Sequence, residues 1–272
     1  MSATTAIDAL HAWLDAAGAV SVAVSGGVDS LTLATLAGRR LGARAAMFHA
    51  VSPAVQPEGT ARVREAAARE GWSLNVVDAN EFAREEYRAN PVDRCFYCKQ
   101  SLYAVIAPHA RGVVVSGTNL DDLGEYRPGL DAAREAGVRH PFVEASVDKS
   151  TVRAIARALG LAEVAELPSS PCLSSRVETG IAIDPATLAR IHAAEQAVRA
   201  QVAAKNVRCR VRAAGVVIEI DADALDAMPD AARADIGAAV GRIFQGGAAS
   251  LAPYRTGSAF LVKADGRARH TA

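Results

Sequence analysis

The chain has 272 residues, half of them hydrophobic, which is enough for a substantial core built as one large domain or a large one with a smaller partner. Thirty basic residues balance thirty acidic ones, which argues against broad electrostatic capture of nucleic acid or membrane while leaving room for a local basic pocket. The opening segment lacks the basic start and long apolar run of a signal peptide, and no apolar run reaches the length of about eighteen residues that marks a membrane span. A cytoplasmic protein is the expectation.

The opening residues run into a helix-like stretch with Leu10, Trp13 and Leu14, and residues 20–24 (Val-Ser-Val-Ala-Val) read as a buried strand. Glycines follow, then helical spacing through Leu31, Ala34, Leu36 and Leu41, with Asp29 or Ser30 as a cap. Strands are predicted over 44–49, 74–78 and 113–115, and helices over 58–70 and 148–159. This alternation predicts a parallel sheet covered on both faces. The stiff turn Pro168-Ser169-Ser170-Pro171 suggests a boundary, giving a first domain over 1–168 and a second segment over 169–272. Beyond it a helix at 185–203, short strands at 208–213 and 216–220 joined through Gly215, and a helix at 230–243 predict a small α+β domain.

The loop Ser25-Gly26-Gly27-Val28-Asp29-Ser30 lies between a strand and a helix. Glycines there open backbone amides to an anion, and the helix terminus adds donors and a partial positive charge. Ser25 and Ser30 are candidate donors to phosphate oxygens; Asp29 suits magnesium or loop organisation better than bare phosphate. The lysine-containing loop of kinases and GTPases is missing, and the dinucleotide fingerprint is incomplete.

Cys95-Phe96-Tyr97-Cys98 is a paired-thiol motif, with Cys172 a distant third thiol and Cys209 without a companion motif. Such thiolates suit a soft metal or redox exchange. Structural zinc would need a fourth protein ligand, and no histidine neighbours these segments; three thiolates with one open position could instead hold a [4Fe-4S] cluster.

The Ser25–Ser30 loop resembles that of the PP-loop ATP-pyrophosphatase superfamily, whose members cleave ATP to AMP and pyrophosphate while adenylating an oxygen nucleophile. Further segments narrow the resemblance: Ser116-Gly117-Thr118-Asn119-Leu120-Asp121-Asp122, Glu125-Tyr126-Arg127-Pro128-Gly129, Pro171-Cys172-Leu173-Ser174-Ser175-Arg176, Arg210-Val211-Arg212, Ile218-Glu219 and Tyr254-Arg255-Thr256-Gly257-Ser258. With the loop, they resemble the ATP-dependent sulfur-inserting enzymes of nickel-pincer nucleotide cofactor biosynthesis, which make pyridinium-3,5-bisthiocarboxylic acid mononucleotide, precursor of the lactate racemase cofactor.

The resemblance implies a PP-loop α/β domain with a smaller α+β domain. It implies ATP held by Ser25, Gly26, Gly27, Asp29, Ser30, Thr118 and Asn119, with Mg2+ placed by Asp29, Asp121 or Asp122. Arg127, Arg176, Arg210, Arg212 and Arg255 are the implied substrate contacts, with Arg210 or Arg212 also able to pair with Glu219. A pyridinium biscarboxylate mononucleotide would be converted through acyl-adenylates, with Cys172, Asp29 and Arg176 as the catalytic set. Some family members give up sulfur from the cysteine matching Cys172; those with all three cysteines resemble cluster enzymes. The expectation is therefore a [4Fe-4S] cluster on Cys95, Cys98 and Cys172, with sulfide or an upstream sulfur donor feeding its unique iron. A sacrificial Cys172, a tRNA-thiolating enzyme and a noncatalytic nucleotide-binding assembly protein are the alternatives. A closed homo-oligomer without stable nucleic acid or membrane partners completes the expectation.

Overall fold

The computed structural model describes residues 1–124 and 127–260. In chain order the elements are α1 (Ala3–Ala17), β1 (Val20–Ala23), α2 (Val28–Leu41), β2 (Ala45–Val51), α3 (Pro57–Glu70), β3 (Ser73–Asp78), α4 (Glu85–Arg88), α5 (Arg94–Ile106), β4 (Val113–Ser116), α6 (Pro128–Glu135), α7 (Pro141–Glu144), α8 (Lys149–Ala158), α9 (Ala162–Ala165), α10 (Pro185–Arg199), β5 (Val207–Arg212), β6 (Gly215–Ile220), α11 (Ala222–Asp226), α12 (Asp230–Phe244) and β7 (Ser250–Pro253). No helix among the described residues is long and apolar enough to cross a membrane. Among the described residues two compact units emerge: one from residues 1–81 and 95–170, the other from residues 82–94 and 171–260.

The first unit is a four-stranded parallel sheet of order β3-β2-β1-β4. Strand alternation decides which residues face which layer. Val20 and Val22 of β1 and Ala45 and Met47 of β2 join a core shared with Leu10, Leu14, Leu31, Val152 and Ile155 from α1, α2 and α8. The intervening Ala46 and Phe48 face the other way, against Tyr103, Ile106, Ala133 and Val138 from α5, α6 and the segment after α6. Each fully buried leucine or isoleucine in these layers contributes about 1.5–3 kcal/mol. With both faces covered, the strands read as apolar runs rather than half-polar ones.

Chain order along the sheet places β2 and β3 on one side of β1 and β4 on the other. The carboxyl ends of β1 and β4 therefore flank a topological switch point, the ligand crevice of open α/β sheets. The Ser25–Ser30 loop leaves β1 there, and Gly117–Asn119 leave β4 there.

The second unit has a sheet of order β5-β6-β7, antiparallel at β5–β6 and parallel at β6–β7. The hairpin turns through Gly215, paired with Arg212, at a φ of 118° that favours glycine. Leu188, Ile191, Ala194 and Val198 of α10 are all buried, as are Val207, Cys209, Ile218 and Ile220 of the sheet. The excursion 82–94 is stitched into this unit: the Asn90 amide donates to the carbonyls of Glu178 (2.8 Å) and Ile181 (2.9 Å), and Ile183 N–H donates to Arg88 (2.8 Å).

Candidate nucleotide and sulfur-transfer sites

In the first unit, the loop after β1 is shaped by backbone contact. Gly26 has φ 83°, and a Cβ there would lie 2.4 Å from the Gly59 carbonyl oxygen at the start of α3. A side chain at 26 is barred by conformation and by space. Arg62 of α3 donates from Nε to the Gly26 carbonyl (3.0 Å), so α3 fixes the loop twice. Ser30 Oγ accepts from Ser25 N–H (3.1 Å), lies 3.1 Å from Ser25 Oγ, and donates to the Gly27 carbonyl (3.2 Å). Gly27 caps α2 without any side-chain hydrogen bond, which leaves first-turn amides open toward an anion. Beneath the loop, buried His49 lies 2.8 Å from the Val24 carbonyl through Nδ1 and 2.9 Å from Thr60 Oγ1 through Nε2. Burial pushes this imidazole below its ordinary value, with the Val24 contact working the other way.

The β4 loop meets the same point. A Cβ on Gly117 would lie 2.8 Å from the backbone of Asp29 and Ser30. Buried Asn119 donates from Nδ2 to Asp29 Oδ1 (3.1 Å), while Lys149 Nζ, from the first residue of α8, lies 2.5 Å from Asp29 Oδ2. Asp121 accepts from Lys149 N–H (3.1 Å), and Asp122 accepts from Asn119 N–H (3.0 Å) while pairing with Arg127 (2.9 Å). Thr118 Oγ1 lies 3.0 Å from Ser116 Oγ, which is 2.9 Å from His140 Nδ1. Ser25, Gly26, Gly27, Asp29, Ser30, Thr118, Asn119, Asp121, Asp122 and Arg127 thus occupy one strand edge. Lys149 also belongs there, and no motif in the sequence marks it. Glu125 and Tyr126 lie outside the described residues.

In the second unit, Cys172 precedes a 3-10 turn, Leu173–Arg176, and its side chain is exposed. Everything behind it is held. The Cys172 carbonyl accepts from Ser175 N–H (3.0 Å), Ser175 Oγ (2.7 Å) and Arg176 Nη1 (3.1 Å). Arg176, 1% exposed, also donates to the Pro171 carbonyl (2.6 Å) and pairs with Glu195 (2.9 Å). Arg94 donates to the Ser174 carbonyl (3.0 Å), Arg210 to the Ser175 carbonyl (3.0 Å), and Tyr87 Oη lies 2.7 Å from Ser174 Oγ. Arg210 and Arg212 both pair with buried Glu219, at 3.0 and 2.5 Å, and Ser258 donates to the same carboxylate (2.7 Å). Arg255 is exposed at its side chain and accepts through its carbonyl from Arg210 (3.3 Å). Cys209 is fully buried, and burial pushes its thiol well above the ordinary range.

The iron–sulfur expectation is overturned. Among the described residues no group of three or more His, Cys, Asp or Glu side chains is gathered to hold a metal ion. Cys95 and Cys98 lie one turn apart on α5 in the first unit, whereas Cys172 belongs to the second. Spacing of i and i+3 brings two thiols to one helical face but recruits no third ligand. A cluster on these cysteines, and sulfide carried on its unique iron, are therefore dropped.

No family profile matches the chain. It is 40% identical over 178 residues to an uncharacterized protein of Synechocystis sp., spanning 64% of this chain and 66% of that one. It is 30% identical over 185 residues to the pyridinium-3,5-bisthiocarboxylic acid mononucleotide synthase of Lactiplantibacillus plantarum, spanning 66% of this chain and 67% of that enzyme. An uncharacterized protein of Methanocaldococcus jannaschii is 28% identical over 208 residues, or 75% of this chain and 78% of its own. With a parallel sheet opening into the Ser25–Ser30 loop, the chain belongs to the PP-loop ATP-pyrophosphatase superfamily, among ATP-using enzymes, as a homologue of that synthase.

Proposed function

We propose that the protein is an ATP-dependent sulfur transferase that thiolates the carboxylates of a pyridinium biscarboxylate mononucleotide, with Cys172 itself as sulfur donor and each chain supplying one sulfur to one carboxylate. The observation that carries this reading is an exposed thiol on a turn whose carbonyls at 171, 172, 174 and 175 are all held by arginines. A nucleophile so mounted keeps its position without losing access, which shortens the search for attack geometry. Homology to a synthase named for the bisthiocarboxylic mononucleotide supports this choice of substrate.

The α2 amides, Ser25 and Ser30 would hold the triphosphate, with Thr118 and Asn119 beside it. Magnesium uses one or two protein carboxylates and takes its remaining ligands from phosphate and water, so Asp29 fits it with Asp121 or Asp122 as second partners. When bound, the ion neutralises charge on the phosphates. A substrate carboxylate oxygen would attack the α-phosphorus and pyrophosphate would leave. The Cys172 thiolate would then attack the acyl carbon and expel AMP, forming a thioester. Loss of the Cys172 Cα proton with cleavage of its Cβ–S bond would release the thiocarboxylate and leave dehydroalanine. Arg127, Arg212 and Arg255 are the proposed contacts for the mononucleotide; Arg210 is buried on Glu219 and the Ser175 carbonyl. Arg176 acts through the backbone it holds.

Incubating the protein with magnesium-ATP and pyridinium-3,5-biscarboxylic acid mononucleotide tests the proposal. Pyrophosphate, a thiocarboxylate product and loss of one H2S from the protein mass at Cys172 are expected. Product formed with Cys172 intact would refute the donor role.

A further inference from the structure

We infer that Lys149 is the leaving-group residue of the adenylation site: it rests on Asp29 in this structure, would turn to the β- and γ-phosphates of bound ATP, and would stay with them as pyrophosphate departs. This deepens the proposed ATP chemistry and rests on it. Three observations converge. Lys149 is the first residue of α8, a position where a cation opposes the helix dipole, and Asp148 already caps that helix through Thr151 N–H. The helix gains nothing from a lysine there. Its ammonium instead crosses to Asp29 Oδ2 at 2.5 Å, while its backbone N–H is pinned to Asp121 at 3.1 Å. Asp29 Oδ1 takes Asn119 Nδ2, so both Asp29 oxygens are occupied.

A divalent cation arriving at Asp29 would repel the ammonium already seated on that carboxylate and favour its departure. Once displaced, Lys149 remains anchored at its backbone to Asp121, beside the first turn of α2 that carries Asp29. A polyphosphate bound at the α2 amides would bring several negative charges within reach of its ammonium. The pair is built to exchange: its side chains are 34% and 25% exposed, where an ion pair is worth about 0–1 kcal/mol. In the reaction, the bond from the α-phosphorus to its bridging oxygen breaks, and that oxygen keeps the electron pair. Lys149 would meet the charge that grows on the leaving pyrophosphate.

Lys149→Met and Lys149→Arg test this by equilibrium binding of ATP, AMP and inorganic pyrophosphate, with and without magnesium. Lys149→Met should bind AMP like the unaltered protein but ATP and pyrophosphate about tenfold more weakly, the scale of one charge-assisted hydrogen bond. Half-saturation by magnesium should fall, because the competing cation is gone. Lys149→Arg should recover part of the ATP affinity. Equal effects on ATP and AMP, or none on either, would overturn the inference and leave Lys149 a counter-ion to Asp29 alone. These measurements need no pyridinium substrate. An unaltered protein that distinguishes ATP from AMP through Lys149 but releases no pyrophosphate with that substrate would refute the proposed substrate while sustaining the inference.

Discussion

The two units use charge in opposite ways. At the strand edge of the first, Asp29, Lys149, Asp122 and Arg127 form pairs that stay in reach of water. In the second, Arg176 and Arg210 are 1% and 4% exposed at their side chains and are spent on Glu195, Glu219 and backbone carbonyls. Half-exposed pairs contribute little to stability and can change partners; buried ones are costly to break and hold a backbone in place. The first network is suited to trading partners with a ligand, the second to keeping a turn still.

Breaking the buried network should have the largest effect. Glu195→Ala strands the Arg176 guanidinium and removes the acceptor of Cys209 N–H, 3.0 Å away. A destabilisation of about 3–5 kcal/mol is expected in denaturant melts. The double change Arg176→Met with Glu195→Leu should regain most of that loss, because apolar replacement of a buried pair is often near neutral. It should still leave Cys172 slower to react, since the Pro171 and Cys172 carbonyls lose Arg176 as a donor and the turn is then held at Cys172 by Ser175. Full thiol reactivity in the double variant would show that the network serves stability alone.

A smaller effect is expected at Gly26→Ala, which places a methyl on the Gly59 carbonyl at positive φ; strain of about 1–3 kcal/mol should appear along with lost nucleotide binding. Acid should act more mildly. Burial lowers the His49 and His140 values below the ordinary one of about 6.5. The unfolded chain therefore takes up protons first as pH falls. Stability is complete above the ordinary value and declines toward the lowered ones, and His49→Asn should flatten the slope of melting temperature against pH. Lys149→Met should change stability by less than about 1 kcal/mol, despite its effect on ATP. Thiol labelling completes the contrast: native protein should alkylate at exposed Cys172, whereas buried Cys209, its thiol pushed up, should react only after unfolding.

Much of the fold was legible because both classes of element announce themselves locally. Runs such as Val20–Ala23 and Val113–Ser116, and the helical spacing of Val152, Ile155 and Ala156, carry their period in a few residues. The phosphate loop was legible for the same reason, since glycines and serines must adjoin the strand that feeds them. What escaped depends on distant partners. Lys149 is one lysine at a helix start, and only its conflict with the helix dipole hints at a task. The excursion 82–94 carries no periodic signal for joining the second unit, and β7 is short with Pro253 within it. The cysteine cluster was misjudged because Cys95-x-x-Cys98 spacing describes one helical face and says nothing about where Cys172 stands.

Gly26 and Gly59 touch main chain to main chain, with no side chain from either intervening. The anchorage of the loop on α3 is thus independent of the residues decorating the crevice. For an engineer, the acceptor half can be redrawn, residue by residue, around a nucleotide cradle that stays where it is.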